Sequence, residues 1–355
     1  MSKSNLSENG RACILYGQLY TTYKSETIKH VISKTDCNDK NLFVGKSNDV
    51  IIPASGETPE DISTACCVLS DGILFGGDLN VLRTLHNGTF LSYQLNGKRK
   101  YDIAKLAVGK SIVHLHNDQL KNLCCYFPYD IKEEKVIASF MDTIEERIEN
   151  QNKIIEDLST LRKGIIDSFF KSAISSTRLN NYLRERKTYS EKDEGYEHVT
   201  LSKEGICPKT DRYDRDFLVK SDEKKYKITK LNDICYNPAN LKFRVICLND
   251  YGSAIFSPIY VTFEVINIDP YYLSLYLTSE SFIKRILKYQ QGTVYERMAV
   301  SPDDLCKGSI PDKNKKEING LINVVAALDK KIKNERKVQD KLNIQKSYLL
   351  KNLFI

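Results

Sequence analysis

The sequence predicts an α+β protein in which two repeated, mixed α/β domains are joined by two long antiparallel coiled-coil helices. First, residues 144–170 and 328–354 align without a gap at an offset of 184 residues. Second, each of these segments carries apolar residues in 4-3 spacing over about four heptads, which is typical of a coiled coil. Third, each is preceded by short apolar runs between Gly, Asn, Asp and Pro residues, without the regular strand–helix alternation of a doubly wound fold.

The composition of the chain limits the class of protein it can be. The chain has 355 residues, 41% of them hydrophobic and 28% charged, so it can build real cores in two or three domains. A net charge of +7 permits a polyanionic partner without requiring one. No apolar run is long enough for a membrane span and the polar start does not resemble a secretory signal, so we expect a cytoplasmic protein with its ten cysteines as thiols.

The first domain is expected over residues 1–130, with strands prevailing. Its predicted strands are Ala12–Tyr16, Asp49–Pro53, Ile73–Phe75, Phe90–Leu95 and Ser111–Leu115.

The first long helix is expected over residues 131–171, after Pro128 and a capping signal formed by Asp130 and Glu133. The second is expected over 313–355, after Pro311 and the matching pair Asn314 and Glu317. A helix from Glu133 to Phe170 is about 57 Å long, whereas a globular core helix averages about 11 residues. We therefore interpret both helices as spacers or partner surfaces, with ordinary long core helices as the alternative.

The predicted seam positions share apolar character and 4-3 spacing. They are Ile137, Met141, Ile144, Ile148, Ile155, Leu158, Ile165 and Phe169 in the first helix, and Leu321, Val325, Leu328, Ile332, Leu342, Leu349 and Leu353 in the second. Polar interruptions recur at matching positions, Gln151 with Glu335 and Arg162 with Lys346.

The second domain is expected over residues 172–312. Its predicted strands are His198–Leu201, Tyr226–Ile228, Asp233–Asn237, Val245–Leu248 and Ile259–Val265, with helices over Tyr271–Thr278 and Ser281–Tyr289. The repeat extends into the domains, because Asn48-Asp49-Val50 aligns with Asn232-Asp233-Ile234. The first domain has no counterpart of Ser172–Arg184, so we expect it to be shortened at its N-terminus, with a sheet edge or apolar patch uncovered.

Motifs for catalysis are weak. Asn237-Pro238-Ala239-Asn240 shares only its first half with the Asn-Pro-Pro-Tyr tetrad of amino methylases, and no glycine-rich cofactor turn precedes it, so we interpret it as a turn ending a strand. A phosphate-binding loop is absent. Asp312 with Asp329 and Lys330 fits a nuclease pattern only loosely. His114 and His116 near Cys124 do not have a recognised metal spacing, so neither a catalytic nor a metal site is predicted.

Basic, aromatic and amide side chains instead cluster near turns. Arg and Lys bind phosphates, while Arg, Gln and Asn can hydrogen-bond base edges, so the clusters favour DNA over the alternative of a solvated face. The predicted DNA contacts are Ser55, Thr58, Tyr93, Lys98, Arg99, Lys100 and Lys110 in the first domain, and Arg184, Arg186, Lys187, Tyr189, Lys203, Lys209, Arg212, Arg215, Gln291, Thr293, Tyr295 and Arg297 in the second.

Over its whole length the sequence resembles the specificity subunit of type I restriction–modification systems. The stretches that carry this resemblance are Ile14–Tyr20, Ser55–Thr58, Phe75–Asp78, Tyr182–Arg186, Val199–Gly205, Tyr236–Pro238, Gly292–Arg297 and Val300–Leu305. The resemblance implies two target-recognition domains that each read half of a split DNA site in the major groove, with the helix pair as a ruler between them.

It also implies a non-catalytic role. In that family the helices dock two modification (methyltransferase) subunits, which use S-adenosylmethionine to methylate adenine, and restriction (motor-nuclease) subunits, which use ATP and Mg²⁺, join them. This chain is expected to bind none of those cofactors. Two other classes of function stay open at this point: a single-chain DNA methylase or nuclease with its own specificity domains, and a coiled-coil scaffold without a DNA role.

Overall fold

A computed structural model describes the chain except for residues 24, 39–41, 110–111, 172–174, 192–194, 204, 210–224, 293–297 and 355. The chain divides into two compact units. The first comprises Met1–Ile154 and Glu335–Ile355, and the second comprises Ile155–Asn334. Among the described residues, no helix combines the length and the apolarity needed to cross a membrane.

The first unit holds short strands and short helices before its share of the long helices. The strands are β1 (Leu6–Ser7), β2 (Arg11–Ile14), β3 (Thr27–Ile28), β4 (Ser33–Thr35), β5 (Phe43–Val44), β6 (Val50–Pro53), β7 (Ser55–Gly56), β8 (Cys66–Val68), β9 (Leu74–Phe75), β10 (Leu79–Leu82) and β11 (Val113–His114). The helices are α1 (Pro59–Ile62), α2 (Gly88–Asn96), α3 (Lys100–Leu106) and α4 (Asn117–Leu120), with a 3-10 turn at Lys3–Asn5 and a π-helical turn at Leu19–Tyr23.

Strand β6 is the centre of this unit. The described strands form sheets of order β1-β4-β2-β9-β5, β10-β6-β8-β3 and β11-β7. Successive side chains of a strand point to opposite faces. Val50 and Ile52 therefore enter one core cluster, whereas Ile51 enters another, and all three are fully buried. The strand is apolar at three successive positions because both of its faces are buried.

The predicted strand at Phe90–Leu95 is wrong, because these residues lie in helix α2. The Asn87 side chain accepts a hydrogen bond from the Phe90 N–H at 2.8 Å and caps the helix. Residues from Gly88 to Leu95 are all buried. A short run buried on every side has no amphipathic period, so the pattern cannot separate helix from strand.

The second unit repeats this plan. Its strands are β12 (Ser176–Arg178), β13 (Leu183–Glu185), β14 (Tyr189–Ser190), β15 (Glu197–Ser202), β16 (Gly205–Pro208), β17 (Tyr226–Thr229), β18 (Ile234–Tyr236), β19 (Ile246–Leu248), β20 (Ala254–Phe256), β21 (Val261–Val265) and β22 (Ser309–Pro311). Two sheets have the orders β13-β21-β18-β19 and β14-β17-β20-β15-β16, and β12 pairs with β22. Strand β18 alternates as β6 does, since Ile234 and Tyr236 enter one core and Cys235 another.

The short helices of the second unit confirm the two helices predicted near the C-terminal end of this domain. They comprise α6 (Pro270–Leu277), α7 (Glu280–Ile286) and α8 (Pro302–Cys306), with 3-10 turns at Leu179–Asn181, Pro238–Phe243 and Leu287–Tyr289. Asp269 and Ser279 cap α6 and α7 with their side chains. Leu179 and Leu183, at the start of this domain, are buried in its core.

The two long helices are α5 (Ile131–Lys171) and α9 (Lys315–Asn352). Asn314 and Glu317 form the predicted capping box, with reciprocal hydrogen bonds of 2.9 and 3.0 Å. Within the first unit, Ile144 and Ile148 of α5 pack with Leu342 of α9. Every apolar seam position predicted from the sequence is buried or half-buried, which confirms the antiparallel coiled coil in each unit.

The polar interruptions of the seam have partners on the opposite long helix that also follow the repeat. Gln151 Nε2 donates to Glu335 Oε2 at 2.6 Å, and these residues are 184 positions apart. In the second unit Arg162 binds Asp329 through Nε at 2.5 Å and Nη2 at 3.1 Å. In the first unit the equivalent residues, Lys346 and Glu145, lie 2.7 Å apart. Polar partners at matching heights specify the register of a coiled coil.

Candidate nucleic-acid interface

The same aspartate-centred turn opens the central strand of both domains. Before β6, Asp49 Oδ2 accepts from the Lys46 N–H at 2.8 Å, and before β18, Asp233 Oδ2 accepts from the Lys230 N–H at 2.8 Å. Asn48 and Asn232 take positive φ of 76° and 68°, a conformation that Asn tolerates better than most residues. The repeated Asn-Asp pair in the sequence therefore marks a repeated turn.

Each of these aspartates binds an arginine, but from a different strand. In the second unit Arg186, just after β13, binds Asp233 with Nε at 2.8 Å and Nη2 at 2.9 Å. In the first unit Arg83, just after β10, binds Asp49 with Nε at 2.7 Å and Nη2 at 2.6 Å. Burial acts to raise the pKa of Asp49, but the hydrogen bonds from Arg83 and Lys46 outweigh it and hold that pKa below its ordinary value.

This arrangement corrects the prediction for Arg186. Its side chain is only 14% exposed and is engaged by Asp233, so it stabilises the domain and does not belong to a free DNA-binding surface. Its neighbours differ, since Arg184, Lys187 and Tyr189 are exposed. These three remain candidates for phosphate or base contact.

A basic and aromatic patch lies on the second domain beside the turn Pro238–Phe243. Asn237 caps this turn by accepting from the Ala239 N–H, which confirms the interpretation of Asn237–Asn240 as a turn ending a strand. Phe243 is 51% exposed, with Lys242 Nζ at 4.9 Å and Lys203 Nζ at 5.8 Å from its ring centroid. We call Lys203, Lys242 and Phe243 the lysine–phenylalanine patch.

Sequence reasoning found only one member of that patch. Lys203 is one of the predicted basic residues, whereas Lys242 and Phe243 are absent from the predicted contacts. Asn237-Pro238 indicates a turn in the sequence, but the exposure of Lys242 and Phe243 at its end is seen only in the structure. A cation over an aromatic ring is worth about 0.5–1 kcal/mol at an exposed site, so the ring also positions the lysines.

The remaining candidates of the second domain are placed as follows. Lys209 is half-buried, and its N–H donates to the His198 carbonyl at 3.0 Å. Gln291 is exposed and pairs with Ala299 through two backbone hydrogen bonds of 2.9 and 2.8 Å. Five predicted contacts of this domain lie outside the described residues: Arg212, Arg215, Thr293, Tyr295 and Arg297.

In the first domain two predicted contacts are buried. Tyr93 is fully buried and donates to Asp142 Oδ1 at 2.9 Å, so it is a core residue and that prediction is corrected. Ser55 is 8% exposed and its hydroxyl lies 3.0 Å from His114 Nδ1, which likewise gives it a structural position. Thr58 is exposed but caps α1 by accepting from the Asp61 N–H.

The three basic residues at the junction of α2 and α3 differ in their exposure. Lys98 is exposed, while Arg99 and Lys100 are half-buried. The Arg99 guanidinium lies 4.9 Å from the Tyr126 ring centroid and 3.3 Å from Asp102, so it is engaged within the domain. Lys110 lies outside the described residues. An exposed aromatic missed by the sequence, Phe43, has Arg83 at 5.5 Å from its ring centroid.

Residues considered for other chemistry have structural partners. Asp329 binds Arg162 and accepts from the Tyr271 hydroxyl at 3.0 Å; burial and this carboxylate raise the pKa of Tyr271 to about 12. Asp312 accepts from Thr177 at 2.7 Å. Within the described part of the chain, no group of three or more His, Cys, Asp or Glu side chains has the arrangement of a metal site.

The comparisons with known proteins agree with this geometry. Residues 2–160 match the family model of the type I restriction modification DNA specificity domain. No curated protein matches the chain.

Solved structures extend the likeness to the whole chain. The type I restriction–modification S subunit from M. genitalium is similar over 100% of this chain and 91% of its own, with 16% identity and a TM-score of 0.58. A chain from a study of complex assembly and conformational transition of the type I R-M system is similar over 96% of this chain and 90% of its own, with 12% identity and a TM-score of 0.60. At these identities the likeness establishes the fold, and the resemblance drawn from the sequence is confirmed.

Proposed function

We propose that this chain is the DNA-recognition subunit of a type I restriction–modification complex. The observation that carries the proposal is the specificity-domain match of residues 2–160 within a chain that repeats the same domain and helix plan. A single-chain methylase or nuclease is not favoured, since the chain resembles specificity proteins and its candidate acidic residues are held in structural pairs. A scaffold without a DNA role is disfavoured by the family match.

In this proposal each domain reads one half of a split double-stranded DNA target, and the paired helices set the distance between the halves. The chain supplies no catalysis. Two methyltransferase subunits bind the helices and bring S-adenosylmethionine, and restriction subunits bring ATP and Mg²⁺. The complex acts in the cytoplasm, where the host chromosome is methylated.

The lysine–phenylalanine patch, together with exposed Arg184, Lys187 and Tyr189, is our proposed DNA surface of the second domain. Lysines that neutralise phosphates release counterions, so each contact contributes about one to the slope of log K against log salt concentration. The complete complex with the double variant Lys203→Ala and Lys242→Ala should therefore bind its target more weakly, with a slope smaller by about two. Lys330→Ala, an exposed lysine of α9, is the matched control.

The function itself is tested by sequencing the methylome of cells that carry this chain with a methyltransferase subunit. We expect methylated adenines in one split motif that disappears when this chain is removed. Methylation that is independent of this chain would contradict the proposal, and so would methyl transfer by the purified chain alone.

A further inference from the structure

A cavity of about 500 Å³ lies in the second unit, where the start of helix α9 meets the start of helix α6. Its volume falls within the range of about 300–1,000 Å³ that is typical of small-molecule sites. The apolar part of its wall is formed by Tyr182, Ile268, Tyr272, Ile310, Pro311 and Ile318.

The Tyr272 hydroxyl is a buried polar group at this cavity. Tyr272 is 1% exposed, and within the described residues its hydroxyl forms no hydrogen bond. Burial raises the pKa of Tyr272, and the nearby carboxylates of Glu317 and Asp312 raise it further. The hydroxyl therefore stays protonated and can donate a hydrogen bond. Because a buried donor without a partner is unfavourable, a ligand that accepts this bond gains affinity.

The first unit contains an equivalent corner in which this hydroxyl is missing. Phe90 of α2 packs on Phe354 with ring centroids 5.2 Å apart, and Tyr272 of α6 packs on Phe170 with centroids 5.6 Å apart. Phe170 and Phe354 are repeat equivalents, 184 positions apart. Phe90 is therefore the counterpart of Tyr272, and the packing of the corner does not require the hydroxyl.

The first unit also shows which kind of group fits this corner. His86 precedes the capping residue of α2 as Ile268 precedes that of α6, and Glu134 aligns with Ile318. His86 Nδ1 lies 2.7 Å from Glu134 Oε1, and the imidazole stacks on the Phe127 ring with centroids 3.8 Å apart. A flat nitrogen heterocycle with a polar partner at its edge thus occupies the corner in the first unit. In the second unit both members of this pair are isoleucines, which line the cavity.

The charged residues at the cavity favour an uncharged ligand, because they already have partners. Asp269 caps α6, and Asp312 accepts a hydrogen bond from Thr177 at 2.7 Å. Lys313 Nζ lies 3.9 Å from a carboxylate oxygen of Glu317. A charged ligand would have to compete with these contacts, whereas a neutral one would not.

We propose that this cavity binds a free, uncharged, planar nitrogen heterocycle no larger than two fused rings. The faces of the ring system lie against Ile268 and Ile318, and a ring nitrogen accepts a hydrogen bond from the Tyr272 hydroxyl. The site belongs to the second unit alone, and its binding does not depend on DNA recognition.

The test is a titration of the full chain with benzimidazole, followed by ligand-observed NMR. Benzimidazole is uncharged above neutral pH and has an acceptor nitrogen, whereas indole has nearly the same size and shape but lacks that acceptor. Benzimidazole should bind saturably. Tyr272→Phe should weaken its binding by about two- to tenfold, the effect of one neutral hydrogen bond, and should leave the affinity for indole unchanged.

The variant removes only the hydroxyl, and Phe90 shows that this packing accommodates phenylalanine. Tyr271→Phe is the matched control. Its hydroxyl donates to Asp329 at 3.0 Å, and Tyr271 does not line the cavity. Removing that hydroxyl should leave benzimidazole binding unchanged.

A second variant locates the site by filling it. Ile268→His combined with Ile318→Glu introduces the pair that occupies the corner of the first unit, and should abolish the binding of benzimidazole. The proposal is overturned if benzimidazole does not bind the unchanged chain, or if the folded double variant binds it equally well. It is also overturned if Tyr272→Phe leaves benzimidazole binding unchanged or weakens indole binding to the same extent.

Discussion

Replacing Lys346 tests whether the seam pairs stabilise the first unit. The ammonium group lies 2.8 Å from Glu26 Oε2 and 2.7 Å from Glu145 Oε2, and the three side chains are 17%, 9% and 12% exposed. Lys346→Met leaves two carboxylates in a largely buried site without their cation. Breaking a buried ion pair by removing one partner costs about 3–5 kcal/mol of stability. Because this site is not fully buried, we expect the free energy of unfolding to fall by about 3 kcal/mol.

The assay is hydrogen exchange of the amides in residues 135–150 and 338–350. The chain contains no Trp and has two units, so a single fluorescence transition would not isolate this region. A loss of 3 kcal/mol corresponds to exchange on the order of 100-fold faster. Lys341→Met, an exposed position on the same helix, is the control and should change exchange little. The triple variant Lys346→Met, Glu26→Gln and Glu145→Gln should recover most of the loss, because no buried charge remains.

The pKa of Lys346 determines how its contribution to stability changes with pH. Burial opposes the charged lysine, but Glu26 and Glu145 outweigh it and hold the pKa of Lys346 above its ordinary value of 10.5. The stabilisation is therefore complete below pH 10.5 and is lost as the pH rises through the folded-state pKa. The difference between wild type and Lys346→Met should be constant from about pH 6 to 9. A difference below about 1 kcal/mol there, or failure of the triple variant to recover stability, would refute the reasoning.

Four further outcomes are expected. Arg186→Met should lower the free energy of unfolding of the second unit by about 3–5 kcal/mol, measured by hydrogen exchange. Arg83→Met should cost less because Arg83 is 46% exposed, and this loss should vanish as acid protonates Asp49 through its lowered pKa. Insertion of one heptad between Gln151 and Lys153, with a matching heptad after Glu335, should lengthen the spacer of the methylated motif. Replacing residues 180–310 by the matching domain of a relative should change one half of the motif and leave the other.

The long helices and the strands near β6 and β18 were predictable because local signals agree there. Seam spacing, the Asn314 capping box and the strand-ending turn at Asn237 each depend on residues within one or two helical turns of one another. Helix α2 was missed because all its residues from Gly88 to Leu95 are buried, and burial on every side erases the period from which a helix is identified.

The candidate interface was predictable only in part, for a related reason. Composition indicates which residues can contact DNA, but exposure depends on partners that are distant in the sequence. Tyr93 hydrogen-bonds Asp142, which lies 49 positions further along the chain, and Arg186 hydrogen-bonds Asp233, which lies 47 positions further along. These contacts keep both side chains away from a free surface. Phe243 is exposed at the end of the turn Pro238–Phe243. Aromatic residues are more often buried, so its sequence position alone does not indicate exposure.

The two aspartate turns show how far a repeat constrains a fold. Asp49 and Asp233 each need the N–H three residues earlier, and that contact recurs because it is local. Each buried carboxylate also needs a cation, but any side chain of sufficient reach can supply it. Arg186 does so from the strand before the turn, and Arg83 does so from the strand after it. The need for a cation beside the buried aspartate is therefore repeated in both domains, whereas the strand that supplies the arginine differs between them.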